Sequence, residues 1–147
     1  MTEATDAPVR EMTSESLWKC SRTFPARADQ VSRARAFLGR VLADCPMADD
    51  AVLICSELAT NAILHSDSAR PGGHFTVRAE VREGDYVWLE AEDQGGRWAE
   101  GEPSDVRGRG LEIVAELADY WDVRGDDIAR VVCARLDWPT TVMRDRT

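Results

Sequence analysis

The sequence lacks any apolar run long enough to cross a membrane, and its opening, Met1-Thr2-Glu3-Ala4-Thr5-Asp6, carries no hydrophobic signal core. A cytoplasmic location, away from membranes, is therefore expected. The chain also lacks a C-x-x-C pair: Cys20, Cys45, Cys55 and Cys133 stand apart, each beside apolar residues. That favours buried free thiols over a zinc site or disulfides. There is no excess of basic residues either. The formal net charge of −9 argues against nucleic acid, which wants a basic face, and suits a neutral or basic protein partner better. No internal repeat is visible.

What is present is an ordinary globular balance over 147 residues, with 44% apolar and 31% charged side chains, enough for one domain with one core. Residues 1–16 are polar and aperiodic and read as a disordered arm. Alternation of Trp18, Cys20, Arg22 and Phe24 predicts a strand, ended by Pro25. It lies at the domain edge in sequence and could pair with another chain. Val31, Ala34, Leu38, Val41 and Leu42 step by three and four, which predicts a helix from about Ala28 to Asp44. Arg27, Arg33, Arg35 and Arg40 fall on its solvated face. A second helix is predicted from Ala48 to His65, with Ala51, Cys55, Leu58 and Ala62 as its buried stripe.

Two alternating strands follow, His74 to Val81 and Tyr86 to Glu92, joined by the turn Glu83-Gly84-Asp85. An aperiodic stretch from Arg97 to Arg107 reads as a lid. A helix opens after Gly110, with Leu111, Val114, Ala115, Leu117 and Ala118 expected on its buried side. Trp121–Arg124 and Ile128–Leu136 complete the strands, and residues 139–147 read as a loose tail. The fold class expected is α+β: a two-layer sandwich with helices on one face of a mostly antiparallel sheet, over residues 17–138.

Three clusters carry chemistry. Glu57, Asn61 and His65 recur every four residues on the second helix, which keeps them within about 80° of arc. An Asn carboxamide oxygen is a hard neutral ligand of the kind Mg²⁺ accepts beside phosphate oxygens and water. Glu57 could take a proton from an attacking hydroxyl or water. The plainer alternative is that Asn61 and His65 cap the helix end or bond the next loop. Asp93-Gln94-Gly95-Gly96 follows a strand. A carboxylate there can accept from an exocyclic amine such as adenine N6, and the glycines let backbone lie against a flat base. Taken alone it is equally a turn. Gly108-Arg109-Gly110-Leu111 opens a helix, where bare amides and the helix dipole attract anions such as phosphate, with Arg107 and Arg109 adding charge. An acidic chain can hold a nucleotide through such a local nest.

In order and spacing the three clusters together resemble the nucleotide-binding domain shared by gyrase, Hsp90, sensor histidine kinases and MutL, the Bergerat-type fold. More closely, the chain is similar to the single-domain anti-sigma factor serine/threonine kinases of bacteria and their actinobacterial relatives. Glu57-Leu58-Ala59-Thr60-Asn61-Ala62-Ile63-Leu64-His65 matches the N box. Asp93-Gln94-Gly95 matches the first glycine box, and Gly108-Arg109-Gly110-Leu111 the second, followed by Leu117-Ala118-Asp119-x-Trp121.

The resemblance implies ATP and Mg²⁺ as ligands. Asn61 would hold the metal and Glu57 would be the general base. Asp93 would bind the adenine amine with Gly95 beneath the ring. Gly108 and Gly110, with the amides of Arg109 and Leu111, would wrap the phosphates, with Arg107 and His65 close by. It further implies an anti-sigma factor that phosphorylates an anti-anti-sigma partner of the STAS type, and a homodimer is compatible with it. Two positions depart from the pattern. Arg97 stands where the first glycine box usually ends in glycine, and Ile128-Ala129-Arg130-Val131-Val132 stands where a Gly-Thr pair is expected. They support an alternative in which the chain is a weak or inactive module that regulates by contact alone.

Overall fold

The computed structural model describes residues 11–12, 17–66, 70–95, 111–126 and 128–139. Its order is β1 (Glu11–Met12), β2 (Leu17–Pro25), α1 (Gln30–Val41), α2 (Ala48–His65), β3 (His74–Arg82), β4 (Tyr86–Asp93), α3 (Glu112–Leu117), β5 (Tyr120–Gly125) and β6 (Arg130–Asp137). The strands form one six-stranded sheet in the order β1-β2-β3-β4-β6-β5. Every pair is antiparallel. The architecture is the α+β sandwich expected.

Period-two alternation decides which side of each strand is buried. Trp18, Cys20 and Phe24 of β2, Phe75, Val77, Ala79 and Val81 of β3, and Val87, Leu89 and Ala91 of β4 all point inward. Val132, Ala134 and Leu136 complete that face from β6. The helices cover it: α1 packs on α2, and α2 reaches β3, β4 and α3. Phe24, Phe37 and Phe75 meet at the middle, with ring centroids 5.9 Å apart for Phe24–Phe37 and 5.5 Å for Phe24–Phe75. All four thiols are free and buried, as the apolar flanks of each cysteine imply.

Four local features differ from expectation. Glu11–Met12, within the arm expected to be disordered, pairs with Trp18 and Lys19, so that stretch of β2 is covered and is not an open edge. α1 buries Phe37 as well as the positions named above, and leaves Val31 half-buried. α3 is a short helix of 6 residues; Leu111 and Val114 are buried but Ala115 is exposed. One turn and a half can bury only one narrow line. Ile128, expected in the last strand, is 79% exposed. There Asp126 accepts the amides of Ile128 and Ala129 at 2.9 and 3.1 Å, and this side-chain turn delays the strand to Arg130. Gly125 makes the turn possible: its φ is +106°, and an added Cβ would lie 2.1 Å from the Ala129 carbonyl oxygen.

Candidate functional site

α2 carries the first part of the site. Its buried stripe of Ala51, Ile54, Cys55, Leu58, Ala59 and Ala62 seats it on the sheet. Asn61 lies inside that stripe and is 7% exposed. Glu57, one turn earlier, is half-buried at its margin. A carboxamide taken out of water needs partners, yet the Asn61 Nδ2 has none among the described residues. It does not cap the helix. Ser66 Oγ instead donates to the Ala62 carbonyl oxygen at 2.8 Å, and Thr60 Oγ1 to the Ser56 carbonyl oxygen at 2.9 Å. Ser66 thus closes the last turn of the helix, and Asn61 is held buried with its Nδ2 unpartnered among the described residues. His65 is the last residue of α2; its side chain lies outside what is described.

β4 and β6 carry the second part. Their inward residues pair rung by rung: Val87 with Leu136, Leu89 with Ala134, Ala91 with Val132, and then Asp93 with Arg130. An apolar ladder ends in an ionic rung. Asp93 and Arg130 are each 7% exposed. The Asp93 Oδ1 accepts the Gly95 amide at 2.7 Å and lies 3.8 Å from the Arg130 Nη2, an ion pair beyond hydrogen-bond range. The Arg130 Nη2 donates to the Gly95 carbonyl oxygen at 3.0 Å. Gly95 has a φ of +74°, the left-handed region that glycine enters without strain. Gln94 points the other way, and its Oε1 accepts the His74 amide at 2.8 Å, tying the loop to the start of β3.

The structure bonds the Gly95 amide to Asp93 and adds Arg130. The signal for Arg130 was in the strand's own alternation, because Arg130, Val132, Ala134 and Leu136 share one phase. A charged residue in an inward phase has to meet an opposite charge or the surface. Leu111 is buried at the start of α3, so only its backbone is available to a ligand. Gly96, Arg97, Arg107, Gly108, Arg109 and Gly110 lie outside the described residues, as does the stretch expected to form a lid.

The donor set suits a nucleotide with a hard cation. Among the described residues no three His, Cys, Asp or Glu side chains converge on a metal position. A cation near Asn61 would thus draw its remaining ligands from phosphate oxygens and water, the habit of Mg²⁺. The orphaned Asn61 Nδ2 is a donor and suits a phosphate oxygen; the cation would be held by the carboxamide Oδ1. The groove between Lys19, Arg78, Trp88 and Glu90 opens on the other side of the sheet and contributes nothing to these residues. No helix among the described residues is long and apolar enough to cross a membrane.

Comparison with the curated proteins finds no match. Comparison with family models matches the histidine kinase-like ATPase domain over residues 24–136, a span that takes in Glu57, Asn61, Asp93 and Arg130 and most of the sheet. With helices on one face of an antiparallel sheet, and the N-box and glycine-box residues at α2 and the end of β4, the chain belongs to the histidine kinase-like ATPase domain family.

Proposed function

We propose that the protein binds ATP with Mg²⁺ and acts as a cytoplasmic regulator of transcription, an anti-sigma factor that phosphorylates a serine or threonine on a STAS-type anti-anti-sigma partner. The observation that carries this reading is Asn61: a buried carboxamide whose Nδ2 donor has no partner among the described residues and so suits a phosphate oxygen, one turn from a half-buried glutamate on the same helix. A helix that needed only packing would have alanine or leucine there. The family supports ATP as the ligand, and the second glycine box supports a phosphate seat.

In this reading Asn61 is the residue that would hold the metal, and Mg²⁺ when bound supplies neutralisation of phosphate charge. Asp93 accepts from the adenine amine. Glu57 takes the proton from the partner's hydroxyl as that oxygen bonds to the γ-phosphorus, while the β–γ bridging bond breaks and ADP leaves with its electron pair. Transfer of this kind needs positioning and charge stabilisation more than covalent chemistry from the protein. A phosphate added to the partner's hydroxyl brings nearly two negative charges. On a chain of net charge −9 it weakens docking, which makes the modification a release signal. The same protein would hold the sigma factor when the partner is phosphorylated, alone or as a homodimer.

A second reading has one observation of its own. Arg97 occupies a position expected to be glycine, which favours a module that holds nucleotide poorly and regulates by contact alone. Two variants separate the readings. Asn61→Ala, in a chain whose circular dichroism is unchanged, is expected to abolish Mg-dependent ATP binding in isothermal titration; unchanged affinity overturns the metal assignment. Glu57→Ala is expected to keep ATP binding and to lower phosphotransfer to a STAS partner by about a hundredfold or more, the usual scale of a positioned base. A Glu57→Ala variant that transfers phosphate as fast as its parent overturns the base assignment, whereas a parent chain that transfers none from Mg-ATP leaves the contact-only module as the better account.

A further inference from the structure

Arg130 is the one buried cation among the described residues, and nothing in the reaction above uses it. It sits on the rung beside Asp93, on the same inward face, with its Nη2 on the Gly95 carbonyl oxygen at 3.0 Å and 3.8 Å from the Asp93 carboxylate. Its guanidinium therefore lies between the two groups that a base would touch. We propose that Arg130 is a base-reading residue, so that the seat presents a donor from β6 beside the acceptor from β4. This rests on the nucleotide reading above and adds a specificity contact to it.

Charge and hydrogen-bonding capacity favour a shared seat over a blocked one. For a base to displace Arg130 from Asp93, the guanidinium would be left buried without its counter-ion. That costs more than a single hydrogen bond from a neutral amine to a carboxylate returns. If Arg130 stays, the ion pair persists and the base docks against both members. A carboxylate has about four lone-pair sites and a guanidinium five N–H donors in one plane. Both are built to serve more than one partner. The edge that fits an adjacent acceptor and donor carries a donor and an acceptor side by side. Adenine has that order, its N6 amine beside ring nitrogen N1. Asp93 takes the amine proton and Arg130 donates to N1.

The test is isothermal titration of the full chain with Mg-ATP and with the ATP analogue carrying a C–H in place of ring nitrogen N1. The wild type is expected to bind the analogue about tenfold or more weakly, the scale of one hydrogen bond to a charged donor. Arg130→Met is expected to bind both nucleotides alike. Arg130→Lys keeps a positive charge near Asp93 but loses the planar fork, which covers the case in which Arg130→Met does not fold; it is expected to fold and to lose most of the discrimination. Equal affinity of the wild type for the two nucleotides overturns the proposal. So does a variant that keeps the wild-type discrimination, or an Arg130→Met chain that binds ATP more tightly than its parent and thereby marks Arg130 as a blocker. A wild type that gives no heat with ATP at millimolar concentration overturns the nucleotide reading itself, whereas ATP binding without discrimination removes only the role of Arg130.

Discussion

The two faces of the sheet are made by the same strands and have opposite chemistry. The inner face is apolar from Trp18 to Leu136 and is sealed by α1 and α2. The outer face is a lattice of charge and aromatic rings. Arg78 bonds Glu92 and lies 3.6 Å from Glu90. Tyr86 donates to Glu80 at 2.6 Å, and Trp88 stacks on Tyr120 with ring centroids 6.1 Å apart. Arg135 and Arg124 lie over the Tyr86 and Trp88 rings at 4.4 and 5.8 Å. Both faces are well connected, yet only one excludes water. The candidate residues belong to the excluded side: Asp93 and Arg130 end the apolar rungs of β4 and β6, and Asn61 lies in the buried stripe of α2. Polar groups there are buried at the edge of a core, which is where a binding contact is strong because little water competes for it.

The largest effect is expected from emptying the inner face. Phe75 is fully buried and stacks on Phe24. Phe75→Ala is expected to cost about 3–5 kcal/mol, transfer and cavity together. For a domain of ordinary stability, about 5–15 kcal/mol, that removes a large share. Urea titration followed by tryptophan fluorescence reads it. A loss below ~1 kcal/mol would mean that the helices do not close this face.

A smaller effect on the same face is a matter of pH. Burial pushes the Cys55 thiol up to about 12 from an ordinary 9.0, because the thiolate is poorly solvated there. The folded chain thus holds this proton more tightly than the unfolded chain. Its contribution is complete below the unfolded value, and it is lost as pH rises from 9.0 toward about 12. The slope from one such group is at most about 1.4 kcal/mol per pH unit. Urea midpoints at pH 8 and pH 10.5 should therefore fall further for the wild type than for Cys55→Ala. Parallel loss in both chains would show that Cys55 is reached by solvent and is not part of the sealed face.

Much of this division is legible in the residue order, and the reasons differ by region. The strands alternate cleanly, so Phe75, Val77, Val87 and Leu89 can be assigned inward without any structure, and with them the antiparallel sandwich. The steps of four from Glu57 to His65 place Asn61 beside the buried stripe. What alternation could not show is how side chains remake local rules. Asp126 delays β6 by bonding two amides, so a hydrophobic Ile128 falls in a turn. Glu11–Met12 adds a strand by pairing with Lys19 and Trp18, in a stretch whose sequence shows no apolar alternation. Arg130 is the instructive case. Its phase was visible, but a charge in an inward phase has two outcomes, a surface end or a buried partner. Only the register of β4 against β6 brings it to Asp93.

The outer face is where the smallest change is expected, and Arg78 tests it most directly. It is the hub of that face, with Glu90 and Glu92 on the neighbouring strand, and its side chain is 38% exposed. Coulomb attraction at that exposure is screened by water, and holding three long side chains in register costs rotamer entropy. An exposed pair contributes about 0–1 kcal/mol. Arg78→Ala also leaves Glu90 and Glu92 on one side of β4 without a shared cation, which adds a like-charge term that salt weakens. The expected loss is therefore about 1 kcal/mol or less at low salt, shrinking as salt is added. Phe75→Ala should show no such salt dependence, since cavity formation involves no charge. Urea titrations of both variants across ionic strength read the contrast. A loss for Arg78→Ala as large as that for Phe75→Ala, and unmoved by salt, would mean that the outer lattice is itself a water-excluding surface.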